Sequence, residues 1–156
     1  MKINEILESV KSGKISTSSA KKLLTLYSIE EVENFAKIDI NRSKRRGVPE
    51  VIFAETKELE DTKKIIKRTL DKTNLVIVSR IKKDDYKKII IFAKKLKVKV
   101  ETGKNSSTVL LFKKPIKFHG GKVGIMTAGT SDIGVAEEAR LMCQAMNCQC
   151  ITSYDV

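Results

Sequence analysis

From about residue 50 onward, short apolar runs alternate with stretches whose apolar residues recur at helical spacing, and this alternation constrains the fold most. The runs EVIFAE (50–55) and NLVIVSR (74–80) are rich in apolar and β-branched residues, as buried strands are. Between them, Leu59, Ile66 and Leu70 fall on one side of a predicted helix. Strands that alternate with helices are typical of an α/β layer structure, so this is the fold class that the sequence predicts.

The alternation continues to about residue 112. DDYKKIIIFAKKL (84–96) has apolar residues at helical steps and predicts a second helix. VKVET and STVLLF flank GKNSS, which predicts a β-hairpin over residues 98–112. KKPIKFHGG (113–121) contains a proline and two glycines and is the best candidate for a linker. We therefore expect a small α/β domain over residues 41–114.

The first 40 residues predict a helical segment. INEILESVK (3–11) is apolar on one face, and a second helix is predicted to begin near residue 16. Ser28 and Glu31 have the spacing of a capping box, which predicts a third helix over IEEVENFAKI (29–38). The segment contains no catalytic constellation, so we interpret residues 1–40 as a helical packing or interaction unit.

The last segment predicts one βαβ unit. KVGIMTA (122–128) and CQCITSY (148–154) have the composition of strands. Steps of four, three and four predict a helix between them, on Val135, Ala139, Met142 and Met146. Parallel strands that are buried on both faces need more neighbours than two strands supply. We therefore expect residues 120–156 to be the first βαβ unit of a Rossmann- or flavodoxin-like parallel sheet that is truncated here and that the N-terminal layer or another subunit covers. We also expect the chain to be a fragment and to form a homo-oligomer.

The charge of the chain favours an anionic partner but not a nucleic acid. The formal net charge is +12, yet the lysines are spread over nearly every segment and only RSKRR (42–46) is dense. Aromatic residues make up 5% of the chain and tryptophan is missing, so the stacking platforms of single-strand binders are scarce. We therefore expect a small anionic ligand and no nucleic-acid partner.

No apolar run reaches the length needed to cross a bilayer, and the amino terminus is not a signal peptide. Cys143, Cys148 and Cys150 are odd in number and crowded together, which indicates reduced thiols in a cytoplasmic protein. Their spacing, without a nearby histidine, is poor for zinc, so we predict no metal site. His119 lies beside two glycines and is interpreted as a surface residue.

The turn AGTSD (128–132) is the first candidate site. In open α/β sheets, ligands bind where the carboxyl ends of strands lead into helices. Gly129 would let an anion approach the backbone, and the hydroxyls of Thr130 and Ser131 lie beside the free N–H groups of a helix. Asp132 would accept a hydrogen bond from the ligand or transfer a proton. The alternative is that Ser131 or Asp132 only caps the helix.

The segment NRSKRRGVPE (41–50) is the second candidate site. Arg42, Arg45 and Arg46 are three and four residues apart, so on a helical turn they share a face. Guanidinium groups suit phosphates and carboxylates. The alternative is a solvated basic surface. Ser79 and Arg80 also end a predicted strand and could face a ligand, but nothing in the sequence distinguishes them.

Taken together, three stretches resemble the LarB family. These are IDINRSKRRGVPEVIFAETK (38–57), GKVGIMTAGTSDIGVAEEA (121–139) and YDV (154–156). The opening ILESVKSGKISTSSAKKLL is similar to the N-terminal helices of that family, so the resemblance spans essentially the whole chain. The combination of R-x-x-R-x-G-x-P-E with T-A-G-T-S-D is more specific than either motif alone.

LarB proteins are pyridinium-3,5-biscarboxylic acid mononucleotide synthases. The resemblance implies an enzyme that carboxylates the pyridinium ring of nicotinic acid adenine dinucleotide, with carbon dioxide or bicarbonate as co-substrate. It then cleaves the phosphoanhydride and releases AMP, and its product feeds assembly of the nickel-pincer nucleotide cofactor of lactate racemase. No tightly bound cofactor is implied, and whether magnesium assists the cleavage stays open.

The resemblance also implies the site residues. Its substrate-binding positions are matched here by Arg42, Arg45, Glu50, Lys57 and Asp155, whereas Arg46 is not at a matched position. The C-terminal segment is similar to the start of aminoimidazole ribonucleotide carboxylases and mutases, whose GSxSD turn corresponds to residues 129–132. Gly129, Thr130 and Ser131 would therefore bind substrate, and Ser131 and Asp132 would be catalytic.

The chain departs from the family pattern after residue 156. Family members continue with further parallel strands and a cysteine thought to attack the pyridinium ring, and none of Cys143, Cys148 and Cys150 stands at its place. We therefore expect this polypeptide to bind part of the substrate but not to turn it over. Two alternatives stay open, namely a relative of the aminoimidazole ribonucleotide carboxylases and mutases, and a basic nucleic-acid-binding module that uses RSKRR.

Overall fold

The computed structural model of the protein describes residues 3–26, 29–32, 36–39 and 48–156. Helices α1 (Ile3–Lys11) and α2 (Thr17–Leu26) contact each other, as the sequence predicts for this segment. Gly13 has a φ of 71°, in the left-handed region that favours glycine, and it ends the first helix. Ile6 and Ala20 are buried in this pair.

The third predicted helix is wrong. The described residues of this segment instead form two antiparallel strands, β1 (Ile29–Val32) and β2 (Ala36–Asp39), with Glu31 opposite Lys37. Residues 33–35, also part of the predicted helix, lie outside the described residues. Ser28 of the expected capping box lies outside the described residues. Helix propensity is a weak preference that strand pairing and tertiary contacts override, and β2 lies against a helix of the central domain.

The central domain is a four-stranded mixed sheet with two helices. In chain order its elements are β3 (Val51–Phe53), α3 (Leu59–Lys72), β4 (Leu75–Ser79), α4 (Lys83–Lys95), β5 (Lys99–Thr102) and β6 (Val109–Phe112). The strand order is β3-β4-β6-β5, in which β3 and β4 are parallel and the other pairs are antiparallel. The α/β fold class and the hairpin over residues 98–112 are confirmed.

Helices α3 and α4 cover one face of this sheet. Alternate strand residues such as Ile52, Val76 and Val78 pack there against the apolar stripes of the two helices, which include Ile66 and Ile89. Strands β4 and β6 are buried almost throughout because their other face is covered as well.

That second cover comes from the C-terminal βαβ unit. Its elements are β7 (Lys122–Thr127), α5 (Ile133–Ala145) and β8 (Gln149–Tyr154), and the two strands are parallel. Leu141 and Ala145 of α5 pack against Ile77, Leu110 and Phe112 of the four-stranded sheet. Because α5 also contacts β7 and β8, it lies between the two sheets.

The helix α5 is confirmed, but the residues whose spacing predicted it do not form its buried face. Val135 is 70% exposed, whereas Ile133, Ala136 and Leu141 are buried. The reason is that α5 packs on two sheets, so its apolar contacts are divided between two faces instead of following one stripe. Among the residues that the structure describes, no helix is both long and apolar enough to cross a bilayer.

Candidate functional site

The carboxyl ends of β7 and β8 bring two predicted site segments together. Thr127 and Tyr154 are paired in the parallel ladder. Beyond that pair, the N–H of Val156 donates to the carbonyl of Thr127 at 3.1 Å, and the N–H of Asp155 donates to Thr127 Oγ1 at 3.4 Å. The turn at 129–132 begins two residues after Thr127, so Asp155 lies beside the start of that turn.

The turn itself is a short 3-10 helix, Thr130–Asp132, that runs directly into α5. The N–H of Ile133 donates to the carbonyl of Thr130, but no side-chain hydrogen bond caps either the turn or the helix. Thr130, Ser131 and Asp132 are all exposed. The structure therefore does not support the alternative in which Ser131 or Asp132 only caps the helix.

Gly129 is not required by the backbone or by packing within the described chain. Its φ of −153° and ψ of 161° are extended values that any residue adopts. A Cβ at Gly129 would meet Ser131 Oγ at 3.9 Å, which is an ordinary contact. The missing side chain thus leaves open space in front of the turn.

Behind the turn, a buried carboxylate joins three segments. Glu137, 7% exposed, accepts hydrogen bonds from the hydroxyl of Tyr154 at 2.6 Å and from Arg140 Nη2 at 2.8 Å. It also accepts one from the backbone N–H of Lys104, in the loop between β5 and β6. Burial acts to raise the pKa of Glu137, but the hydrogen bonds from Arg140 and Tyr154 outweigh it and hold the pKa below its usual value.

The same network acts on Tyr154 and Arg140. Burial and the hydrogen bond to Glu137 both raise the pKa of the Tyr154 hydroxyl, which keeps this group a donor. Arg140 also donates to the carbonyl of Thr102 at 3.1 Å and lies 4.0 Å from Glu101. The end of β8 is therefore tied through α5 to strand β5 of the central domain.

The neighbouring Glu138 faces the other sheet. The hydroxyl of Ser79, a fully buried residue at the end of β4, donates a short hydrogen bond to the Glu138 carboxylate. Arg80 follows with a φ of 54°, donates to Glu55 at 2.8 Å and lies over the ring of Phe53 at 5.4 Å. The amino-terminal part of α5 therefore lies at the carboxyl ends of β3 and β4.

The loop between β5 and β6 packs closely on α5. A Cβ at Gly134 would clash with the carbonyl oxygen of Asn105, and one at Gly103 would lie 2.7 Å from the Cβ of Glu137. Asn105 adopts a φ of 56°, a conformation that asparagine tolerates. The two glycines therefore allow the loop to lie against the first turns of α5.

The remaining predicted site residues are not all at this end of the molecule. Lys57 follows β3 at its carboxyl end, where its carbonyl accepts a hydrogen bond from Lys82 Nζ at 3.0 Å. Glu50 precedes β3, and its carbonyl accepts from the N–H of Ile77 at 3.2 Å. The structure thus places Glu50 at the amino end of β3 and Lys57 at the end that faces the start of α5. Arg42, Arg45 and Arg46 lie outside the described residues.

The cysteines lie at the far end of α5 and on β8. Burial, reinforced by the neighbouring Cys143, raises the pKa of Cys150 to about 11, so its thiol is protonated at neutral pH. Cys148 lies in the turn before β8, with its thiol 3.8 Å from the carbonyl of Met146. Within the described ranges, no group of three or more His, Cys, Asp or Glu residues is arranged to hold a metal ion.

No role was predicted from the sequence for Glu137, Glu138 or Tyr154. A usable signal was present, because Glu137 lies four residues after Ile133 and four before Leu141. An acid within an apolar stripe requires a buried partner. The identity of that partner, however, depends on the tertiary contacts of Tyr154 and of the 103–107 loop, which no local pattern specifies.

Two comparisons with known proteins bear on the family. Residues 29–109, just over half of the chain, match the LarB/PurE-like N-terminal domain. An uncharacterized protein of Methanocaldococcus jannaschii is 35% identical over 158 residues, which cover 99% of this chain and 61% of that protein. The chain thus spans about three fifths of the length of this curated relative. The chain belongs to the family of proteins that carry the LarB/PurE-like N-terminal domain.

Proposed function

We propose that this chain is the substrate-binding part of a LarB-type carboxylase/hydrolase. Its substrate is nicotinic acid adenine dinucleotide, which is carboxylated on the pyridinium ring and cleaved to AMP and pyridinium-3,5-biscarboxylic acid mononucleotide. The co-substrate is carbon dioxide or bicarbonate. The membership of the family supports the carboxylase class, and the site at the start of α5 supports the choice of an anionic nucleotide.

The observation that carries this proposal is the uncapped start of α5 beside Asp155. Thr130 and Ser131 are exposed, and no side chain of the described chain caps the helix that follows them. Free N–H groups at a helix start bind phosphate or carboxylate. The open space at Gly129 allows such a group to approach the backbone.

The two acids have different roles in this proposal. Asp132 is exposed and not used as a cap, so it accepts a hydrogen bond from a ribose hydroxyl or takes a proton from the ring. Asp155 has a φ of 62° and lies beside the turn, where it binds the same nucleotide. Lys57 follows the carboxyl end of β3, the end of the central sheet that faces the start of α5. In the proposal, Arg42 and Arg45 complete the anion site.

The three cysteines support binding without turnover by residues 1–156. Covalent activation of a pyridinium ring requires a thiolate. The pKa of Cys150, about 11, makes it a poor nucleophile at neutral pH. Cys148 and Cys143 lie at the opposite end of α5 from the turn at 129–132.

Calorimetric titration with nicotinic acid adenine dinucleotide tests the proposal. The wild-type chain should bind the dinucleotide, and Ser131→Ala combined with Asp132→Ala should weaken binding at least tenfold, because each substitution removes a hydrogen-bonding group. Met126→Ser, on the exposed outer side of β7, is the matched control and should bind normally. Absence of wild-type binding, or equal binding by the double variant, would contradict the proposal.

The alternatives give different results in the same experiment. A relative of the aminoimidazole ribonucleotide enzymes would prefer an aminoimidazole ribonucleotide over the dinucleotide. A nucleic-acid-binding module would bind an oligonucleotide in a manner that weakens steeply between two salt concentrations, because counterions are released. Dinucleotide binding that changes little with salt and is lost in Arg42→Ala favours the first proposal.

A further inference from the structure

The loop between β5 and β6, residues 103–107, belongs to the central domain but lies at the start of α5. The N–H of Ile81, just beyond β4, donates to the carbonyl of Ser107 at 3.0 Å, and the N–H of Thr108 donates to Ser106 Oγ at 3.2 Å. The carbonyl of Asn105 faces Gly134, two residues after Asp132. The loop is therefore held at the same end of the molecule as the proposed nucleotide site.

Glu137 holds the other side of this loop. Its carboxylate accepts the backbone N–H of Lys104 and the hydroxyl of Tyr154, the residue before Asp155. One buried carboxylate therefore ties the loop, the start of α5 and the end of β8 to one another. These are the three segments that border the turn at 129–132.

Lys104 supplies a positive charge within this loop. Its side chain is exposed and makes no ion pair with the part of the chain that the structure describes. Its backbone is fixed by Glu137, so less conformational freedom is lost when the ammonium group binds an anion. The backbone of Lys104 lies at Glu137, about one helical turn after the start of α5. An extended lysine side chain can span that distance, and its ammonium group would add to the attraction of the helix N–H groups for phosphate.

We propose that Lys104 is a substrate-binding residue of the nucleotide site and that Glu137 is the positioning residue that holds it there. This inference rests on the proposed function, since it names a further contact of the same site. It assigns to the central domain a direct contact with the phosphates of the substrate. The ligand class is a nucleotide that carries at least one phosphate.

Titration of single variants with nicotinic acid adenine dinucleotide tests the role of Lys104. Lys104→Ala should raise the Kd about tenfold, because one charge-assisted contact is lost, and Lys104→Arg should restore most of the affinity. Lys99→Ala is the matched control, since Lys99 is an exposed lysine at the far end of the same hairpin. It should bind like the wild type.

The positioning role of Glu137 is tested by a double-mutant cycle. Glu137→Gln should weaken binding more in the wild-type background than in Lys104→Ala, because part of its effect is exerted through Lys104. Equal losses in both backgrounds would show a general structural role and would overturn the assignment of Glu137. Thermal unfolding of each variant shows that the folded fraction is the same at the titration temperature.

The outcomes for the two proposals are separate. Failure of the wild-type chain to bind the dinucleotide contradicts the proposed function, and the inference falls with it. Wild-type binding that is unchanged in Lys104→Ala overturns the inference alone. Binding that is lost in Lys104→Ala, retained in Lys99→Ala and restored in Lys104→Arg supports both.

Discussion

Glu137 and Glu138 are adjacent in the sequence, yet each is bound to a different sheet. Glu138 accepts the hydroxyl of Ser79 from the central sheet, and Glu137 accepts the hydroxyl of Tyr154 from β8. A buried polar group is tolerated when its partners satisfy it, and a network of this kind fixes the relative position of its members. The pair of acids thus orients α5 between its two neighbours.

The lowered pKa of Glu137 predicts a pH dependence of stability. A carboxyl whose pKa is lower in the folded than in the unfolded state stabilises the fold above the unfolded pKa, and this contribution is lost as the pH falls through the folded pKa. Glu137→Gln should lower the free energy of unfolding by about 1–3 kcal/mol at pH 7. Urea unfolding followed from pH 7 down to about pH 2.5 should show this difference shrinking once the pH falls below the usual glutamate pKa, about 4.3.

The variant Glu60→Gln provides a control for that measurement, because Glu60 is an exposed glutamate in a surface ion pair with Lys63. Its free energy of unfolding should stay close to that of the wild type at every pH. A difference between wild type and Glu137→Gln that does not change with pH would contradict the role assigned to the Glu137 carboxylate.

At the scale of elements, the sequence predicted the helices and strands whose residue composition and hydrophobic period both favour the same conformation. The β-branched run at 75–79 forms strand β4, and the segment with helical spacing at 59–72 forms helix α3. Both were predicted because local preference and burial favour the same conformation there. Residues 29–32 and 36–38 were mispredicted as helix because a short segment with charged residues fits either conformation until its partner strand is known.

The candidate site, like the fold, was predictable only in part. The place of residues 129–132 and 155 follows from the rule that the carboxyl ends of parallel strands meet, and the structure has Asp155 beside Thr127. The position of the 103–107 loop was not predictable, because it depends on the packing of α5 on the second face of the sheet. The roles of Gly103 and Gly134 likewise follow only from that contact.

Gly134 provides a test of the contact between the loop and α5. Helix propensity alone would make Gly134→Ala stabilising by up to about 1 kcal/mol, since alanine is the better helix former. The clash with the carbonyl of Asn105 should reverse the sign and lower the free energy of unfolding by about 1–3 kcal/mol. Chemical denaturation of the variant measures the sign directly.

The matched control is Ala139→Gly, at an exposed position of the same helix. It should lose about 1 kcal/mol by propensity alone. If Gly134→Ala were more stable than the wild type, the loop would not lie against α5 as described.

For the molecule as a whole, the shared helix determines how the parts unfold. The C-terminal βαβ unit contributes Leu141 and Ala145 to a core whose other members, including Ile77 and Leu110, belong to the central sheet. Two strands with one helix have too little core to be stable alone. The unit therefore depends on the central sheet for its stability.

The last prediction follows from this dependence and concerns cooperativity. Amides of α5 and β4 should exchange with solvent at similar free energies of opening, since the two elements share one core. Leu141→Ala should lower both free energies by about 2–5 kcal/mol, because it leaves a cavity between the helix and the sheet. Leu7→Ala, at an exposed position of α1, is the control and should leave both unchanged. Protection from hydrogen exchange that is lost in α5 but kept in β4 would show that the βαβ unit opens independently of the central sheet and would contradict this prediction.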